Sequence, residues 1–171
     1  LSKERVTGYR NFITKIWQAN NFLKLNNCKY VKKTDQQKIK LSINQWIYSE
    51  FCKTNESIIK HIKGFRFDEA SKVIYNFVWG AYCDWYLEFL KPIFNSGNKN
   101  EKKEAAFFAS YMFMNTLKLL HPFIPFFTEF MWQENRFDRS FKSLLITANW
   151  PTPNKSSNFN KSLNEVESLI E

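Results

Sequence analysis

The chain has 171 residues, of which 44% are hydrophobic and 18% aromatic, enough to bury the core of one domain and too apolar for a mostly disordered polypeptide. Four Gly and five Pro supply too few turns for an all-β fold, and no run of about 18 apolar residues is present to cross a membrane. The net charge of +9 is localised: residues 1–40 hold ten basic and two acidic side chains, against 15 and 14 in the other 131 residues.

A first helix is predicted from Glu4 to Lys24. Val6, Tyr9, Phe12, Ile13, Ile16, Trp17, Ala19 and Leu23 share one arc at about 100° per residue. The opposite arc holds Arg10, Asn11, Thr14, Lys15, Gln18 and Asn21, and Phe22 projects onto it. A basic, polar loop covers residues 25–40. A second helix is predicted from Leu41 to Ile62, with Ile43, Trp46, Ile47, Phe51, Ile58 and Ile62 buried and Gly64 as its stop. A third runs from Asp68, as N-cap, to Leu90. Its packing stripe is Phe77, Val78, Ala81, Trp85 and Phe89, and Pro92 with "NSGNKN" ends it. A fourth runs from Glu101 to Leu120, where Pro122 forbids continuation.

Residues 126–134 suit a short fifth helix with Pro125 in its first turn. "SLLITANWP" (Ser143 to Pro151) reads as an extended return segment, residues 152–162 as a polar linker, and a last helix starts near Leu163. The expected fold is all-α: an antiparallel bundle of four long helices, a short fifth helix and an extended C-terminal return. Residues 1–134 would form the bundle, 135–151 the return segment packing on it, and 152–171 a linker with the start of a truncated helix.

"LSKERVTGYR" has no apolar signal core, so secretion is not expected. A chain starting at Leu1 is expected to be a piece of a longer one. Cys28, Cys52 and Cys83 have neither C-x-x-C spacing nor a nearby His, so reduced thiols are expected. No glycine-rich phosphate loop and no metal-ligand spacing is present. His121 has no nucleophile or carboxylate at a recognisable spacing, so no catalytic residue and no metal site is assigned. It is read instead as capping the end of the fourth helix, with Phe123, Phe126, Phe127 and Trp132 wedging that corner against the bundle. Asp84 and Glu88, at i and i+4, are read as anchors to neighbouring helices, Lys91 lying three residues beyond Glu88. A localised basic surface steers polyanions toward it; a solvated lysine-rich face accounts for the charge equally. Phe22, among Asn11, Lys15 and Gln18, is either a stacking platform for an unpaired base or covered by the following loop.

Four motifs occur in order: "RNFITKIWQANNF" (Arg10 to Phe22), "FRFDEASKVIYNFVWGAYCDWYLEFLKP" (Phe65 to Pro92), "LLHPFIPFFTEFMW" (Leu119 to Trp132) and "SLLITANWP". Together they resemble the anticodon-binding domain of bacterial-type valyl-tRNA synthetases, class I aminoacyl-tRNA synthetases, over nearly all of residues 1–151. The "FDEA…FVW…CDWYLE" block separates them from the isoleucyl and leucyl enzymes. The resemblance implies a bundle that receives the anticodon stem-loop of valine tRNA, whose anticodon ends in A and C. It also implies a catalytic domain elsewhere in the same polypeptide that uses ATP to attach valine. Neither H-I-G-H-like nor K-M-S-K-S-like signatures occur here, so this chain needs no cofactor of its own. The expected RNA-binding set is Arg10, Asn11, Lys15, Gln18, Phe22, Lys24, Lys29, Tyr30, Lys32 and Lys33, with Phe22 or Tyr30 stacking a base and Lys24, Lys29, Lys32 and Lys33 mainly holding the backbone. The family usually carries Asn at position 18 and Arg at position 21, where this chain has Gln18 and Asn21, so that Arg contact is not available. The protein is expected to be a cytoplasmic monomer that binds neither DNA nor membrane. The alternatives are an isoleucyl-type sister domain and a helical protein-interaction module with an incidental basic segment.

Overall fold

A computed structural model describes residues 2–29, 39–137, 143–153 and 166–170. Among the described residues an all-α bundle is built from α1 (Lys3–Leu25), α2 (Ser42–Lys63), α3 (Phe67–Asn76), a π-helical segment (Phe77–Tyr86), α4 (Leu87–Ser96), α5 (Lys99–Leu120) and α6 (Pro125–Asn135). Because α3, the π segment and α4 are continuous, the bundle has four long rods. The central rod contacts the others: α2 packs on α3 and the π segment, α1 on the π segment, and α4 on α5. Ile16, Ile47, Ile58, Leu90, Met112, Leu117 and Leu120 are among the fully buried side chains.

Local chemistry sets most helix ends. Ser2 Oγ accepts from the Arg5 amide at the start of α1. Asn98 and Glu101 form a reciprocal capping box at the start of α5. Helix α2 stops at Gly64, its C-cap, as expected, but without a left-handed glycine. Gly64 has φ −87°, and the left-handed position falls on Phe65, at φ 57°. The Arg66 amide donates to His61 O at 2.8 Å, the six-to-one bond of a Schellman turn. Asp68 does not cap the next helix, since the N-cap position is Arg66 and Asp68 lies in the first turn.

Two further expectations need correction. Pro92 lies inside α4, which continues to Ser96, because Leu90 before it is buried and Ile93 and Phe94 beyond it pack on the core. The helix ends at Gly97, whose amide donates to Ile93 O at 2.9 Å; a Cβ there would lie 2.5 Å from that oxygen. The packing stripe also changes pitch. Its buried residues run Phe77, Val78, Tyr82, Cys83, Tyr86 and Leu87, so the core face advances by five at the step from Phe77 to Tyr82, as an i→i+5 turn requires. Trp85 is thereby turned outward, and Ala81 and Phe89 reach only half-burial.

In α1 the core contacts begin at Phe12. Val6 and Tyr9 lie beyond its reach, and Trp17 sits at its rim; all three are exposed rather than buried. The return segment is held by side chains: Leu145 N donates to Glu129 Oε2 at 2.8 Å, Trp150 Nε1 to Asn55 Oδ1 at 2.7 Å, and Asn55 Nδ2 to Pro151 O at 3.1 Å. A 3-10 turn spans Leu145–Thr147. Residues 138–142 of the expected return, 154–162 of the expected linker and 163–165 of the expected last helix lie outside the described residues, and 166–170 are helical.

Candidate RNA interface

Helix α1 positions most of the candidate side chains because its one buried stripe leaves the rest of its circumference open. Arg10, Asn11, Thr14, Gln18 and Asn21 are exposed along one arc. Thr14 turns its hydroxyl back to Arg10 O at 2.9 Å, so the other four supply the outward-facing polar groups. Lys15 borders this arc on the side of the central rod. Its ammonium pairs with Asp84 and lies 4.1 Å from the centroid of the Trp79 ring, a cation–π contact. Trp79 stacks on Tyr75 at 5.7 Å, and Tyr75 on Phe12 at 4.8 Å. A column of three rings thus joins α1 to the central rod, and Lys15 caps one end of it.

Phe22 lies on the same side of α1, half-buried and tilted against Phe94 at 5.9 Å. The side chain covering part of it therefore comes from α4. Lys24 lies on the opposite flank, where its ammonium bonds Glu134 Oε2 of α6 at 2.7 Å and holds that carboxyl below its usual range. The structure thus brings together Arg10, Asn11, Lys15, Gln18 and Phe22 and separates Lys24 from them. Lys29 is exposed just past the end of α1. Tyr30, Lys32 and Lys33 lie outside the described residues.

Trp79, Tyr75 and the Asp84 partnership were not found from the sequence. The aromatic block gave no polar contrast that would mark which rings reach α1, and Lys15 and Asp84 are 69 residues apart. Glu88 pairs with Lys91 at 2.6 Å within its own helix. Burial pushes the Cys83 thiol, beside Lys15 and Asp84, up to about 12, and does the same to Cys28, so neither is poised as a nucleophile.

The corner between α5 and α6 has structural chemistry. His121 is the C-cap of α5, but its ring does not reach for the helix carbonyls; Nδ1 lies 2.8 Å from Thr128 Oγ1. Thr128 is fully buried, and its hydroxyl donates toward Ile124 O or Pro125 O. If the hydroxyl hydrogen goes to either carbonyl, Nδ1 carries the hydrogen of the histidine–threonine bond. Trp132 packs into the corner as expected, and Phe123 and Phe127 are half-buried against the core. Phe126 is 93% exposed, because it sits on the outer face of α6. Among the described residues there is no group of three or more metal-ligating side chains, and no helix is long and apolar enough to cross a membrane.

The described residues thus form an all-α bundle whose first helix leaves a polar arc open beside a lysine and a stack of rings. Residues 44–171 match the family described as the anticodon-binding domain of tRNA ligase, and the chain belongs to that family. It is similar to the valine–tRNA ligase of Pelagibacter ubique, with 47% identity over 99% of this chain and 19% of that protein. It is also similar to those of Caulobacter vibrioides (42% identity, 88% of this chain, 17% of that protein) and Bartonella quintana (40%, 88% and 17%). The chain therefore spans less than a fifth of the length of these curated relatives.

Proposed function

We propose that this chain receives the anticodon stem-loop of valine tRNA on the α1 polar arc, aligning the tRNA for ATP-dependent attachment of valine by the catalytic part of the same polypeptide. The observation that carries this reading is the open arc of Arg10, Asn11 and Gln18 beside Lys15 and Phe22, in a chain of the anticodon-binding family. Loop bases unpaired in RNA can be stacked and read on their edges, and this arc offers amide and guanidinium donors next to rings. Lys29, exposed just past the end of α1, adds sequence-blind attraction for phosphates, and the lysines that follow it in the sequence add to the same charge. ATP belongs to the catalytic part, and the protein works as a cytoplasmic monomer. The opposite flank of α1, where Trp17 stacks on Phe130 at 6.0 Å beside exposed Phe126, suits contact with the rest of the polypeptide.

The test is a titration of the valine anticodon stem-loop against the same stem-loop with its middle anticodon base changed, at physiological salt. The valine form is expected to bind more tightly. Phe22→Ala is expected to weaken it roughly tenfold, as loss of one stacked base does. A lysine change is expected to flatten the salt dependence without altering base preference. Equal affinity for both stem-loops would favour the protein-interaction module, and preference for an isoleucine anticodon would favour the sister domain.

A further inference from the structure

We propose that Asp84 and Trp79 are positioning residues that hold the Lys15 ammonium as a preset donor for the RNA loop, an inference that rests on the function proposed above. Lysine ordinarily presents a mobile point charge on a flexible stem, which attracts phosphate without reading anything. Here the stem is fixed from two sides. Asp84 takes one of the three ammonium donors, and the Trp79 face lies beneath the charge at 4.1 Å. The Lys15 side chain retains 24% exposure and Asp84 45%, so the pair is partly open to solvent beside the polar arc.

Trp79 cannot drift, because Tyr75 and then Phe12 stack behind it. Tyr75 is itself 40% exposed and extends an aromatic edge along this side. The π segment makes the arrangement possible. Trp79 and Asp84 are five residues apart within it, the i→i+5 spacing of a π turn, so a ring and a carboxylate on one rod meet the same ammonium. The group recognised is an acceptor oxygen, or a ring nitrogen with a lone pair, on an unstacked loop base. Such a contact is directional, whereas attraction by a free lysine is not.

A carboxylate that merely stabilised the helix pair would leave base preference alone. A carboxylate that aims Lys15 changes it, and the two roles differ in sign for the wrong RNA. With the 171-residue chain, Asp84→Asn is expected to lower affinity for the valine stem-loop roughly tenfold, the order expected when a charge-assisted hydrogen bond is lost. The same variant is expected to bind the stem-loop with the changed middle base as well as wild type or more tightly, because a negative charge facing the RNA has gone. Asp84→Glu is expected to restore most of the preference, and Trp79→Leu to lower it. A ratio of the two affinities unchanged in Asp84→Asn, with wild type discriminating, would overturn this inference and leave the proposed function standing. Equal binding of the two RNAs by wild type would overturn both.

Discussion

Replacing Glu104 with alanine is expected to lower the unfolding free energy by about 3 kcal/mol, since one charged acceptor serves several donors. Helix α2 has Leu41 at its N-cap and no side-chain cap of its own. The missing acceptor comes from α5 instead. Glu104 Oε1 receives the Lys40 amide at 3.0 Å, the Leu41 amide at 2.9 Å and Asn44 Nδ2 at 3.1 Å. Asn44 is fully buried, and its Oδ1 accepts from the buried Tyr86 hydroxyl at 2.8 Å. The two backbone amides can turn to water when the carboxylate is removed; the Asn44 amide cannot, and that difference carries most of the loss. Glu104→Gln keeps an acceptor oxygen and is expected to lose about 1 kcal/mol. Urea denaturation followed by circular dichroism measures both. An alanine variant within about 0.5 kcal/mol of wild type would mean the network is not made.

Phe51→Ala is expected to cost about 4 kcal/mol, in the range for truncating a buried aromatic ring. Phe51 is 2% exposed and meets Phe77 edge-on at 6.0 Å, where the π segment begins. Its removal opens a cavity between α2 and the rod that contacts most of the bundle, and neither helix can close in without shifting the step from Phe77 to Tyr82. Phe51→Leu refills part of the space and is expected to cost less than about 2 kcal/mol. Thermal unfolding of the two variants separates a tightly packed joint from a yielding one. A loss below about 1 kcal/mol for the alanine variant would place Phe51 outside the core.

The helices were legible because their signals are local. The polar breaks, Pro122 after the fourth helix and the periodic apolar faces all act within a few residues, whereas the Asn98–Glu101 capping box, equally local, was not read. The π segment was not legible. Steps of four and five diverge by one residue, and in "FVWGAYCDWY" the candidate positions are almost all apolar, so burial of Tyr82 rather than Ala81 leaves no mark in the sequence. Val6 and Tyr9 had the right periodicity but lie beyond the core, and Trp17 meets only Phe130 at its rim, so all three stay exposed. For the site, the exposure of Arg10, Asn11 and Gln18 followed from helix projection alone. The placing of Lys24 against α6 and of Lys15 against Asp84 depended on which rods lie beside α1, and no local signal carries that.

The claim that α1 is the RNA-facing surface is tested most directly by amide chemical shifts of the isotope-labelled chain, recorded as the valine anticodon stem-loop is added. The shifts are expected to concentrate on Arg10 to Phe22, with indole shifts at Trp79, and to be much smaller with the stem-loop whose middle anticodon base is changed. Shifts confined to α6 and its corner with α5, with α1 silent at saturating RNA, would contradict it.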